Sequence, residues 1–174
     1  MSLTKSLLAG VALTALTGTA ALAEPALIFD LGGKFDKSFN EAAFNGAQRW
    51  AEETGGTYKE LEMQSEAQRE QALRRLAETG ANPIVMTGFA FGDVLNQVAP
   101  DYPDTQFAII DMVVEQPNVQ SIVFTEEQGS YLAGIMAAMA SQSGTVGFIG
   151  GMDIPLIHKF ECGFAQGFKA AKPD

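Results

Sequence analysis

The stretch Ala26-Leu-Ile-Phe-Asp30-Leu-Gly-Gly-Lys-Phe-Asp-Lys-Ser-Phe-Asn40 begins as an apolar run, ends that run on a carboxylate, and turns through Gly32-Gly33. Ser38-x-x-Glu41 then has the form of a capping box, so the stretch reads as strand, glycine turn and helix. In an open α/β sheet, ligands bind in the crevice beyond the carboxyl ends of the strands. Asp30, the Phe39 ring and the Asn40 carboxamide are thereby directed to one crevice.

Working outward, short apolar runs alternate with helical patterns, as expected of a parallel sheet with crossover helices. The predicted strands are Ala26–Asp30, Thr57–Met63, Pro83–Thr87, Gln106–Asp111 and Val119–Phe124. Most are continuous apolar runs, the mark of a sheet covered on both faces. Thr57–Met63 alternates polar and apolar residues and is expected at an edge. The first helix places Phe39, Ala43, Ala47, Trp50 and Ala51 on one inward face before Gly55-Gly56. A second, from Ser65 to Thr79, turns Ala72, Leu73 and Leu76 inward and its charges outward, and a third spans Gly92–Val98. These elements make a complete doubly wound α/β lobe over residues 24–124.

A second capping box, Thr125-x-x-Gln128, opens a helix whose Gly134, Ala137, Ala138 and Ala140 suit close packing against a sheet. A strand at Thr145–Ile149 and a helix over Pro155–Ala171 follow. Residues 125–174 therefore read as the beginning of a second, incomplete lobe, too little to bury its own apolar faces.

Residues 1–23 read as a cleavable signal peptide: Lys5 is the basic start, Leu7 to Leu16 the apolar centre, and Ala21-Leu22-Ala23 the cleavage pattern. Thr14, Thr17, Gly18 and Thr19 leave it short of the ~20 apolar residues of a membrane span. Cleavage is expected after Ala23, into the periplasm, and the absence of cysteine at the junction argues against a lipid anchor. The leader holds one Lys and no acid, so its removal takes the net charge from −10 to −11. Such an acidic chain, with no basic cluster, argues against nucleic acid and anionic membrane surfaces as partners. The single Cys162, between Phe160 and Phe164, is expected to be a buried thiol.

The glycine turn lacks the G-x-G-x-x-G spacing for a pyrophosphate, and neither a phosphate-loop motif nor a G-x-S-x-G elbow occurs. His158 is the only histidine; it builds no zinc site by itself and is expected on a helix surface. No catalytic residue, metal or cofactor is expected. Three groups remain at the carboxyl ends of strands: Asp30 with Phe39-Asn40, Thr87-Gly88-Phe89, and Asp111-Met112. Acids, a carboxamide and aromatic rings suit a flat ring carrying polar edges and hydroxyls. From the residues alone, Phe39, Phe89 and Phe91 fit core packing as well as a cleft. Asp30, Asp111 and Asn40 equally fit strand-end and helix-end capping.

Taken together, Asp30-Leu-Gly-Gly, Asp36-Lys-Ser-Phe-Asn40, Phe107-Ala-Ile-Ile-Asp111, Pro117 to Phe124, Glu126 to Gly134, Val146 to Gly151 and Phe160 to Phe168 form a specific pattern. It resembles the basic membrane protein family of periplasmic binding proteins, which includes lipoproteins and is similar to purine nucleoside receptors of ABC importers. The resemblance implies a type I periplasmic-binding fold, in which two lobes trap a ligand and Val123 to Glu126 form a hinge crossing. It further implies that Phe39 stacks on a base and that Asn40 and Asp111 hydrogen-bond the ligand. Asp30, Gly88, Phe89 and Met112 would line the same wall. The implied partners are a nucleoside-like solute and an ABC permease in the inner membrane, with the receptor itself a monomer. Family members are about twice as long and take a second ring from the second lobe. A sugar-type periplasmic receptor is the alternative of the same class; a secreted nucleoside-processing enzyme, which would need a general base, is the alternative of another.

Overall fold

The structure, a computed structural model, describes residues 23–173. The expected leader (apart from Ala23) and Asp174 lie outside the described residues. Five strands, β1 (Ala26–Phe29), β2 (Lys59–Glu62), β3 (Ile84–Thr87), β4 (Phe107–Ile110) and β5 (Val119–Ile122), form one parallel sheet of order β2-β1-β3-β4-β5. Ile28 stands level with Leu61 on one side and Met86 on the other. The doubly wound α/β architecture is the expected one. The polar-apolar alternation of β2 puts it at an edge, as its sequence requires.

The main core lies on the face covered by α2 (Arg69–Glu78) and α3 (Gly92–Val98). Ile28, Ile84, Met86 and Ile109 point into it from the strands, and Leu73, Leu95 and Val98 from the helices, all fully buried. Each such side chain contributes ~1.5–3 kcal/mol relative to exposure. The opposite face carries α1 (Phe39–Thr54), where Phe44 meets Phe29 edge-on with ring centroids 6.5 Å apart.

The expected inward face of α1 does face the sheet, but it packs there loosely. Trp50 is 39% exposed, and the only fully buried residue of the helix is Asn40. The helix stands off the sheet, leaving an apolar cleft of about 430 Å³ lined by Leu27, Ala43, Ala47, Trp50, Val85 and Ile110 among others.

Beyond the sheet come α4 (Glu126–Ala140) and α5 (Pro155–Ala171), packed on each other. Three expectations change here. Gly134 packs against a helix rather than a sheet: a Cβ on it would lie 2.1 Å from the Phe164 carbonyl oxygen. Thr145–Ile149 is not a strand, because no described strand lies beside it to share a ladder. Cys162 is exposed, since α5 turns Gly163 and Gly167 toward α4 and so turns the preceding residue outward. His158 is exposed as expected, but acids do flank it: Asp153 at 2.7 Å and Glu161 at 3.3 Å hold its pKa above the ordinary value.

Candidate functional site

The strand order reverses between β1 and β3, since the chain leaves β1 for β2 on one side and returns to β3 on the other. This is the switch point at which an open α/β sheet binds ligands. Asp30 follows β1, Gly88 follows β3 and Asp111 follows β4, so the structure brings these three residues to one end of the sheet. Two ladder bonds fasten this rim: the Gly88 amide donates to the Ile110 carbonyl at 3.1 Å, and the Asp111 amide to the Ile122 carbonyl at 2.8 Å.

The turn into α1 is held by side chains. Asp36, rather than the expected Ser38, caps the helix: its Oδ1 accepts from the amides of Ser38 (2.8 Å) and Glu41 (3.2 Å), and its Oδ2 from Asn40 (3.1 Å). Desolvation pushes its carboxyl up, but these donors outweigh it and hold it below the usual range. Thr125 likewise makes no side-chain cap on α4. Instead, Glu126 Oε1 accepts from the Phe124 amide at 3.1 Å.

Asn40 is 2% exposed, and its carboxamide is engaged at both ends. Its Nδ2 donates to the carbonyls of Asp30 and Gly33, both at 3.1 Å. Its Oδ1 accepts from the Asp30 amide at 3.2 Å and the Thr87 hydroxyl at 2.8 Å. A primary amide has two donors and two acceptor positions. Placed this way, Asn40 shapes the turn that presents Asp30 and Phe39. Thr87, fully buried between β1 and Asn40, completes this support.

Phe39, the first residue of α1, is half-buried and outside the main core cluster. Phe89 is also half-buried, in a short 3₁₀ turn, whereas Phe91 is fully buried in the core. Met112 packs on Gly92, where a Cβ would lie 2.8 Å from its Cγ. Gly88 has φ 104° and sits against Asp30; a Cβ there would come within 2.9 Å of Asp30 Oδ2. Both the backbone conformation and the space call for glycine.

Two cations reach the wall that sequence reasoning missed. Arg69 Nη2 donates to Asp30 Oδ1 at 2.7 Å, with 8% side-chain exposure, so the charges of α2 do not all face outward. Lys159 of α5 pairs with Glu126 and donates to the Phe124 carbonyl at 2.7 Å, tying α5 to the crossing after β5. Burial raises the Glu126 carboxyl, but the Lys159 hydrogen bond and charge together with the Glu126 and Phe124 amides outweigh it, and the net shift is downward. Asp111, at φ 70°, is shifted the other way: burial first, then the Glu126 charge, raise it against the opposing pull of Lys159. Among the described residues no cluster of three or more His, Cys, Asp or Glu is disposed to hold a metal.

A carboxylate- and ring-lined wall at the switch point of a parallel sheet is the architecture of a small-molecule binding protein. The chain belongs to the PnrA-like family of ABC transporter substrate-binding proteins, whose pattern matches residues 24–174. Members of this family bind substrates and are not enzymes. The chain is 35% identical over 155 residues to the CD4+ T-cell-stimulating antigen of Listeria monocytogenes, covering 86% of this chain and 43% of that protein. It is 34% identical over 156 residues to the ABC transporter nucleoside-binding protein BmpA of Lactococcus lactis, covering 86% and 44%. An ABC transporter solute-binding protein from Aeropyrum pernix superposes with TM-score 0.77 at 33% identity, over 87% of this chain and 44% of that one. The chain thus spans less than half the length of these relatives.

Proposed function

We propose that this chain supplies one wall of the ligand site of an ABC-importer receptor for a nucleoside-like solute. Residues 24–124 form the first lobe in this reading, and residues 125–174 open the second through the Val123 to Glu126 crossing. The receptor is a periplasmic monomer that delivers its solute to an inner-membrane permease. Phe39 stacks on the ring of the solute, Asp30 and Asp111 accept from its hydroxyl or N–H donors, and Gly88, Phe89 and Met112 line the surface between them.

The observation that carries the reading is the charge arrangement of the wall. Arg69 is engaged by Asp30 and Lys159 by Glu126, while Asp111 has no cation within salt-bridge distance among the described residues. Such a wall favours an uncharged donor over an anionic phosphate ester. The name of the Lactococcus relative points to the same ligand class.

Titrating the isotope-labelled chain with inosine, inosine monophosphate and xylose, followed by amide shifts, tests this. Inosine is expected to move the amides of Phe39, Gly88 and Asp111, and inosine monophosphate to move them less. Shifts with xylose alone would make it a sugar receptor. Release of free hypoxanthine would make it a nucleoside-processing enzyme.

A further inference from the structure

We propose that Arg69 is a positioning residue for ligand recognition. It holds Oδ1 of Asp30 so that Oδ2 stands over Gly88 as a directed acceptor for one hydroxyl or N–H of the bound solute. This rests on the reading above for where the solute sits.

The placement of Arg69 is poor for stability. Arg69 follows directly on a 3₁₀ turn at Glu66–Gln68, and its amide is already bonded to the Glu66 carbonyl. Its side chain is almost fully buried, and a buried ion pair seldom repays the removal of both charges from water. Its Nε is buried with no acceptor among the described residues, a donor that water would otherwise satisfy.

What the placement achieves is orientation. The guanidinium is held on one side by the Phe91 ring, with its centre 5.4 Å from the ring centroid, and on another by Asp30 Oδ1 at 2.7 Å. The Asp30 backbone is fixed independently, its amide donating to Asn40 Oδ1 and Thr87 Oγ1. With main chain and Oδ1 both held, the direction of Oδ2 is set. No described donor reaches that oxygen, and Gly88 leaves room beside it where a Cβ would lie 2.9 Å away. A partly buried carboxylate with one oxygen clamped and the other without a described donor is an arrangement for accepting from a ligand.

The test uses the full chain and inosine as probe, with two readouts. Three-bond couplings of the Asp30 side chain report whether one χ1 rotamer is held. They should show a single rotamer in the wild type, averaging in Arg69→Met, and an intermediate state in Arg69→Lys. Arg69→Lys keeps the cation and the stem and guards against loss of the fold. Inosine affinity from shift titration should fall about tenfold in Arg69→Met, the order of one hydrogen bond to a charged group. Asp30→Asn should weaken binding comparably, and adding Arg69→Met to it should weaken binding no further. Unchanged Asp30 couplings in both Arg69 variants would overturn the proposal, as would losses that simply add. If the wild-type chain shows no inosine shifts, the nucleoside reading fails, and the couplings alone still decide whether Arg69 orients Asp30.

Discussion

Asn40 commits its carboxamide to the turn before α1, where it sets the positions of its neighbours. Its four bonds define where the Asp30 backbone ends and where the Phe39 ring begins. In the proposed reading, Phe39 and the two acids meet the solute. Phe39→Ala should weaken inosine binding by ~1–3 kcal/mol, the range for base–aromatic stacking, without lowering the melting midpoint as a core truncation would. Unchanged affinity in the same titration would remove Phe39 from the site. Asp111 carries a pH signature. Its folded carboxyl is raised by burial and by the Glu126 charge, so the folded state holds this proton more tightly than the unfolded chain does. Stability from this group is therefore greatest below the ordinary carboxylate pKa of ~4 and declines as pH rises through the raised value. Asp111→Asn removes that penalty, and asparagine accepts the φ of 70° that this position requires. Melting curves should show the variant more stable than wild type at pH 7, with the gap closing in acid. A gap that is constant with pH would mean that the Asp111 charge carries no penalty in the fold.

Elements were far more legible in the sequence than the contacts between them. All five strands appear within one or two residues of their expected ends: the central ones are apolar runs that need no partner to be recognised, and β2 shows the alternation of an edge. The helix caps are less legible, since Asp36 stands where the motif points to Ser38 and either side-chain oxygen is a competent acceptor. Arg69 gave no signal at all: its burial depends on Asp30, 39 residues earlier, and periodicity registers a cation only as an outward residue. The small residues of α4 were legible as a close-packing face, but which surface they meet was not. That surface is α5, and its glycines provide a test at this scale. A Cβ on Gly163 would lie 2.2 Å from the Glu127 carbonyl oxygen, and one on Gly167 1.9 Å from that of Tyr131. Alanine is ordinarily better than glycine in a helix by ~1 kcal/mol. Overpacking of this kind costs roughly 1–3 kcal/mol, so the clash should win. Gly163→Ala and Gly167→Ala should each lower the unfolding midpoint of α4 and α5, followed by helical circular dichroism. Gly129→Ala, which meets open space on the same helix pair, should raise it. If all three substitutions raised the midpoint, the close crossing of α4 and α5 would be wrong.

Across the whole molecule, stability should be divided unevenly between the sheet and the helix pair. The strands β1, β3 and β4 lie inside the sheet, and their side chains fill a core that is almost entirely sealed. In α4 and α5, by contrast, only Gly134, Ala138, Gly163 and Gly167 are buried. Leu132, Met136 and Met139 are 62%, 70% and 80% exposed, and Ile149 in the loop between the helices is 99% exposed. Little apolar area is removed from water there, so the hydrophobic contribution per residue is small. The pair is joined to the sheet chiefly through the crossing after β5, where Lys159 reaches the Phe124 carbonyl and Glu126. Local opening of α4 and α5 should therefore require much less free energy than opening of the sheet. Native-state hydrogen exchange should find the amides of β1, β3 and β4 protected to the global limit. Those of α4 and α5 should exchange tenfold faster for about every 1.4 kcal/mol by which their opening is easier. Lys159→Met should widen that difference by removing the tie and leaving Glu126, whose side chain is only 7% exposed, without its cation. The widening should be present at pH 7 and vanish in acid, because the folded Glu126 carboxyl lies below its ordinary value and its stabilisation is lost as it protonates. Equal protection in the helices and the sheet would instead establish one cooperative unit.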